Sequence, residues 1–308
     1  MSIGSKGAGD FSNLFINVGP NRTGSSIASR LIATFDSMDL VYEPLTAYCL
    51  LSLIRTEPSG ETRCKLEEIV RVLIVEELFL PKLAGRTINE NPHDLSSDLK
   101  LLPANVVAAR KSMSWSRAKL LEELPGRTLL LKLGDPFVVD LLRRVFPGSR
   151  FIMTFRNPFE VAYSVFKRGW FDDEALNANP ANVYDTVDGV FTPPWLGVSF
   201  RRSWRGMSAV ERSCLYAHAA LSEVTRTRNA LLLSYEDVLE RPKQVVELIE
   251  RFTGCRPSPR TEELIAGIDA GVSAETRRAA YEHVRNSVSR EVLSMLEALP
   301  EHYASGLV

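Results

Sequence analysis
The chain has 308 residues, 45% of them hydrophobic, with 37 Lys and Arg against 38 Asp and Glu and a formal charge of −1. That hydrophobic share suffices for a large buried core, and the balanced charge excludes a dedicated nucleic-acid binder or a polybasic membrane binder. Length gives a soft prior of two domains, although single α/β domains of this size are common.

Residues 14–18 (Leu-Phe-Ile-Asn-Val) read as a short buried strand. A turn-rich loop follows, Gly19-Pro20-Asn21-Arg22-Thr23-Gly24, and the spacing from Ser25 to about Phe35 predicts a helix. Residues 61–80 read as a long helix, because Leu66, Ile69, Val70, Leu73, Ile74 and Leu78 repeat at three and four. The stretch 81–105, with Pro81, Pro92 and Pro103, reads as loop. Residues 129–133 form a strand and 136–145 a helix, and Arg150 to Phe155 is another strand. Asn157, Pro158 and Glu160 then give an N-cap, a proline at N1 and a glutamate at N3. Residues 169–207 lack sustained periodicity and are either a functional loop or a structured insertion. A helix over 208–228, a strand from Ala230 to Ser234, and a helix opened by Pro242 and closed by Gly254 complete the pattern. Alternating strands and helices predict a mostly parallel sheet with helices on both faces.

The cysteines at 49, 64, 214 and 255 form no CxxC pair and no disulfide framework, so reduced thiols are expected. His93, His218, His283 and His302 are scattered and there is no HExxH, so no metal site is expected. The start lacks the apolar stretch of a signal peptide, and no apolar run approaches the ~18 residues of a membrane span. A soluble, cytoplasmic protein is the expectation.

Two segments carry chemistry. The first is the strand, glycine-containing loop and helix over residues 14–35, a topology in which loop amides and the helix start converge on an anion. Gly19 and Gly24 permit the backbone turn, Arg22 adds charge, and Asn21, Thr23, Ser25 and Ser26 add polar groups. The spacing Gly19-x4-Gly24 matches the front of a nucleotide P-loop, but Ser25 stands where that loop requires lysine. An ordinary turn remains the alternative. The second places Arg156 at the carboxyl end of a strand, where open parallel sheets bind ligands, with Ser164 in the second turn of the next helix. The pair suits a second phosphate, or is a surface arginine and a helix serine.

Together, and in this order, these segments resemble the PAPS-dependent sulfotransferase family. Gly19-Pro-Asn-Arg-Thr-Gly-Ser-Ser26 is similar to its 5′-phosphosulfate loop, and Phe151 through Arg156-Asn157-Pro158 to Ser164 to its 3′-phosphate motif. Leu232 to Leu239 followed by Arg241-Pro242, and Tyr42-Glu43-Pro44-Leu45, resemble two further family elements. The Arg-Thr-Gly-Ser-Ser form sits nearer the carbohydrate and bacterial branches than the cytosolic aryl and steroid enzymes.

The resemblance implies an α/β fold, a P-loop-like three-layer sandwich in one domain over 1–308, with an acceptor-side insertion at 169–207. It implies sulfuryl transfer from PAPS to an acceptor hydroxyl by in-line displacement, leaving adenosine 3′,5′-bisphosphate, with no metal. Arg22, the loop amides, Ser25 and Ser26 would hold the 5′-phosphosulfate, and Arg156 and Ser164 the 3′-phosphate. Glu43 is the first candidate for the base and His93 the second, each with a solvated loop residue as alternative. His218 reads as structural. Lys132 either touches the sulfonate or snorkels to the surface. Trp170, Phe171, Trp195 and Trp204, with Arg201, Arg202 and Arg205, form a candidate acceptor lid or pack on the core. Arg277, Arg278 and Arg285 are candidates for a loop over the 3′-phosphate. The partner is a small-molecule or glycan acceptor, not nucleic acid or membrane. Two other readings stand beside this one, a P-loop small-molecule kinase and a non-catalytic nucleotide-binding scaffold.

Overall fold
A computed structural model describes residues 11–56, 60–80, 108–109, 116–174, 185–187, 190–268, 273–301 and 303–307. The strands are β1 (Leu14–Val18), β2 (Met38–Tyr42), β3 (Thr128–Leu133), β4 (Arg150–Phe155), the short pair β5 (Asp185–Val187) and β6 (Val190–Thr192), β7 (Ala230–Ser234) and β8 (Gly306–Leu307). The helices are α1 (Ser25–Ala33), α2 (Leu45–Thr56), α3 (Glu61–Val72), α4 (Arg117–Glu123), α5 (Val139–Val145), α6 (Pro158–Phe166) and α7 (Val198–Arg201). They continue with α8 (Ala209–Arg226), α9 (Tyr235–Glu240), α10 (Pro242–Thr253), α11 (Pro259–Ala266), α12 (Ala274–Ser287) and α13 (Arg290–Glu297).

Six strands form one sheet in the order β2-β3-β1-β4-β7-β8. The first five run parallel and β8 is antiparallel to β7. β1 lies in the middle, with Ile16 opposite Leu131 on one side and Phe151 on the other. Every residue of β1 is buried, as in a strand covered on both faces. Successive side chains point to opposite faces, so the strands feed two cores in alternation. Leu14, Ile16, Val18, Leu131, Met153 and Phe155 pack on one face with residues of α2, α3, α5, α6 and α8. Phe15, Leu130, Ile152, Leu231 and Leu233 pack on the other with Leu31 and Ile32 of α1 and Val245, Ile249 and Phe252 of α10. This is the three-layer α/β arrangement.

Local rules set the helix ends. Asn157 accepts from the amides of Phe159 and Glu160, with Pro158 in the first turn of α6. Ser208 and Glu211 form a capping box on α8. Gly254 ends α10 in the left-handed region.

The structure differs from the sequence reading in several places. The helix expected over 61–80 is α3 followed by a π-helical stretch at Leu73–Phe79. The helix expected over 136–145 opens as a 3₁₀ turn at Pro136–Val138. Residues 169–207 contain the hairpin β5–β6 and α7. β2, α2, α4, the three helices after Ser258 and β8 were not anticipated. The 81–105 loop reading, with His93, lies outside the described residues.

Candidate active site
Because β1, β3 and β4 are parallel neighbours, their carboxyl ends share one edge of the sheet. The loop after β1, Lys132 near the end of β3 and Arg156 after β4 therefore meet there. Open parallel sheets place ligands at this edge.

The loop is held by its neighbours. Thr23 is fully buried, its hydroxyl donating to the Pro20 carbonyl and lying 2.6 Å from Thr154 Oγ1. That side chain braces the loop from below. Arg22 adopts φ 74° and Gly24 φ 82°. A Cβ on Gly24 would lie 2.3 Å from Tyr235 Cδ2, so a side chain there would meet the tyrosine ring as well as an unfavourable φ. The Asn21 amide donates to Tyr216 Oη at 3.0 Å, and Ser26 Oγ lies 2.8 Å from Tyr42 Oη. Ser25 is buried, and its carbonyl accepts from Asn17 Nδ2. α1 starts at Gly24 with no side-chain cap, which leaves its first amides to other acceptors.

Arg22 and the second motif come together. Arg22 Nε donates to Ser164 Oγ at 2.9 Å, across 142 residues of sequence. Arg156 Nη1 donates to the Arg22 carbonyl at 3.3 Å, and its guanidinium lies 4.5 Å from the Tyr235 ring centroid. Arg156 Nε donates to Glu160 at 2.9 Å. Glu160 thus has a second role beside its place in the first turn of α6. Its other oxygen lies 3.4 Å from Arg277 of α12. Burial, then Arg168 and then Arg156, pulls the Arg22 guanidinium below its ordinary range. Two neighbouring cations thus act on Arg22.

The other end of the loop is a buried ion pair. Lys132 is 1% exposed and binds Glu43 Oε1. Glu43 adopts φ 42°, and its amide donates to the Lys132 carbonyl at 3.0 Å. The Lys132 ammonium lies 5.1 Å from the Tyr42 ring centroid. Burial lowers the Lys132 ammonium from its ordinary 10.5, against the raising effect of Glu43. Beside them, Tyr48 Oη accepts from the Gly134 amide, and Asp135 caps the next turn by accepting from Phe137 N at 2.9 Å. Burial raises the Asp135 carboxyl, against Arg55 at 3.4 Å.

Gly19, Asn21, Arg22, Thr23, Gly24, Ser25, Ser26, Arg156 and Ser164 are gathered at one edge, with Glu43 and Lys132 beside them. Lys132 does not snorkel; it is paired and buried. His93 lies outside the described residues. His218 is half-buried on α8, its imidazole lowered by burial and then by Arg226. Arg285 is exposed on α12 beside Tyr281, two turns from Arg277, the arginine that reaches Glu160. Of the lid aromatics, Phe171, Trp195 and Trp204 pack on one another and on Tyr216, with Trp204 fully buried. Trp170 is 39% exposed. Arg212, 2% exposed, donates to the carbonyls of Trp204, Phe171 and Arg205 and to Asp173, which ties this segment to α8. The sequence reading missed Tyr48 and Tyr216, and had Tyr42 and Tyr235 only as members of motifs, without the contacts they make with the loop and its rim. Those contacts have no local signal, since each is made between separate segments of the fold.

Among the described residues no group of His, Cys, Asp and Glu is placed to hold a metal, and no helix is long and apolar enough to cross a membrane.

No curated protein sequence matches the chain. Among solved structures it is similar to sulfotransferase STF9 from Mycobacterium avium, at 15% identity and TM-score 0.41, over 90% of this chain and 76% of that one. A sulfotransferase domain from the curacin biosynthetic pathway gives 15% and 0.41, over 94% and 92%. Retinol dehydratase in complex with androsterone and inactive cofactor PAP gives 14% and 0.38, over 93% and 79%. The model of the sulfotransferase domain family matches residues 65–290, beginning after the Gly19–Ser26 loop and taking in Lys132, Arg156 and Ser164. With that match the kinase and scaffold readings fall away, and the chain belongs to the sulfotransferase family, enzymes of PAPS-dependent sulfuryl transfer.

Proposed function
We propose that this enzyme transfers the sulfuryl group of PAPS to a hydroxyl of a small molecule, a sugar or a natural-product alcohol, by in-line displacement. The observation that carries the reading is the 2.9 Å bond from Arg22 to Ser164, which joins the two phosphate-type motifs into one cationic site. The donor set fits a nucleotide with two separate phosphates. The uncapped start of α1 and Arg22 suit an anion at the loop, and Arg156 and Ser164 suit another at α6. Ser164 accepts from Arg22, which leaves its own proton for a phosphate oxygen. An anion also relieves the repulsion among Arg22, Arg156 and Arg168.

Bound PAPS supplies the sulfuryl group and a phosphate leaving group. Glu43 takes the proton of the acceptor hydroxyl, and Lys132 orients that carboxylate. Ser25 and Ser26 lend amides to the leaving phosphate. The reading includes one domain with 169–207 on the acceptor side, and a cytoplasmic location that suits its four unpaired cysteines.

Calorimetry with adenosine 3′,5′-bisphosphate tests the site. The Arg156→Ala variant is expected to lose affinity by roughly a hundredfold, as for a charge-assisted bidentate contact. Unchanged affinity would refute the placement. A PAPS-dependent screen over sugars, phenols and natural-product alcohols then identifies the acceptor class.

A further inference from the structure
Tyr48 lies on the first turn of α2, just after the Glu43-Pro44 corner. An added Cβ on Gly134 would lie 3.1 Å from Tyr48 Oη, 3.2 Å from Glu43 Oε1 and 2.7 Å from Asn21 Oδ1. Three oxygens from three separate segments therefore close on one backbone position, and a side chain at 134 would displace them. A tyrosine hydroxyl has a single proton to donate. Because Tyr48 Oη accepts from the Gly134 amide, its proton is directed to another group. The other two oxygens nearest the Cβ position of Gly134 are those of the Glu43 carboxylate and the Asn21 side-chain carbonyl. Lys132 already holds Glu43 from the opposite side.

We propose that Tyr48 is a positioning residue for sulfuryl transfer, its hydroxyl supplying the second hydrogen bond that fixes the Glu43 carboxylate, opposite Lys132, for proton removal. The inference rests on reading Glu43 as the base. The charged and titratable groups around Tyr48 are Glu43 from the corner before α2, Asp135 from the turn after β3 and Tyr216 from α8, with Lys132 behind Glu43. Burial, then the Glu43 charge, pushes the Tyr48 phenol well above its ordinary 10, so it remains a donor at neutral pH.

The test uses the full chain with Tyr48→Phe, Glu43→Gln and the double variant. Release of adenosine 3′,5′-bisphosphate from PAPS is followed with water and with methyl β-D-glucopyranoside as probe acceptors. Tyr48→Phe is expected to lower kcat about tenfold while leaving affinity for adenosine 3′,5′-bisphosphate within about twofold. The acidic limb of its pH–rate profile moves to higher pH, because a carboxylate that loses a donor holds its proton more firmly. The double variant is no slower than Glu43→Gln alone. Urea unfolding of the same four proteins gives a cycle that needs no acceptor, with an expected coupling of about fivefold in the unfolding constant. Coupling below about twofold overturns the contact. A disabled Glu43→Gln beside an unchanged Tyr48→Phe profile overturns the role of Tyr48 alone. Full turnover in Glu43→Gln overturns the base reading and this inference with it. Loss of nucleotide affinity in Tyr48→Phe marks a merely structural role and also overturns it.

Discussion

The two ends of the loop after β1 use charge in opposite ways. At one end Arg22, Arg156 and Arg168 bring like charges together, in part at the surface, with Ser164 and Glu160 holding the guanidinium groups. At the other end Lys132 and Glu43 pair opposite charges, with the lysine 1% exposed. The first arrangement gains most of its energy when an anion arrives. The second is satisfied within the protein, so its energy goes into the fold and the orientation of a carboxylate. A cluster of like charges and a pair of opposite charges thus sit at the same edge of the sheet.

Removing one member of the buried pair breaks the contrast most strongly. Glu43→Gln leaves a buried ammonium unpaired and is expected to cost about 3–5 kcal/mol at pH 7, read by urea unfolding. The deficit shrinks as pH rises. Lys132 is already below its unfolded 10.5, and without Glu43 it falls further. Between those values the unfolded chain holds a proton that the folded one lacks, so stability rises with pH. A deficit that is constant from pH 7 to pH 10 contradicts the pairing.

Arg212, which serves the fold, contrasts with Arg22, proposed above to serve the ligand. Arg212 donates to three backbone carbonyls inside the protein, and Arg212→Met is expected to cost about 2–3 kcal/mol by leaving them unsatisfied. Arg22→Ala, at a half-buried position, changes stability by less than about 1 kcal/mol while weakening nucleotide binding. Equal stability losses in the two variants would erase the distinction. The smallest effect is that of salt. Raising ionic strength about tenfold weakens adenosine 3′,5′-bisphosphate binding several-fold, and leaves the Glu43→Gln stability difference nearly unchanged. Calorimetry and unfolding at two salt concentrations measure both.

The strands that carry the site were legible because they are short, apolar runs bounded by glycine, proline or asparagine. β1, β4 and β7 lie where the pattern put them. β2 was missed because Asp39 interrupts Met38-Asp-Leu-Val-Tyr42, and its burial depends on Arg127, 88 residues away and 2.8 Å from it. The aromatic stretch 170–204 shows the same limit. Exposed rings and packed rings look alike in sequence, and Phe171 and Trp195 pack on Tyr216 of α8, while Trp204 packs on those two rings. The site was legible as motifs, since its loop and its Arg156–Ser164 segment are local. The contacts of Tyr216 and Tyr42 with the loop, and the Arg277–Glu160 contact, join separate segments and left no local mark.

The place of β1 in the sheet also bears on how the protein is made. Its partners on the two sides are β3 and β4, so Phe15 waits for Leu130 and Arg150 before its ladder exists. The frame of the loop that gathers the arginines therefore arrives only some 130 residues after the loop itself. Contacts of such sequence separation slow folding and expose apolar strands in the interval. During synthesis, Leu14 to Val18 is an unpaired hydrophobic segment, and the yield of active enzyme will depend on chaperones and translation speed as much as on final stability.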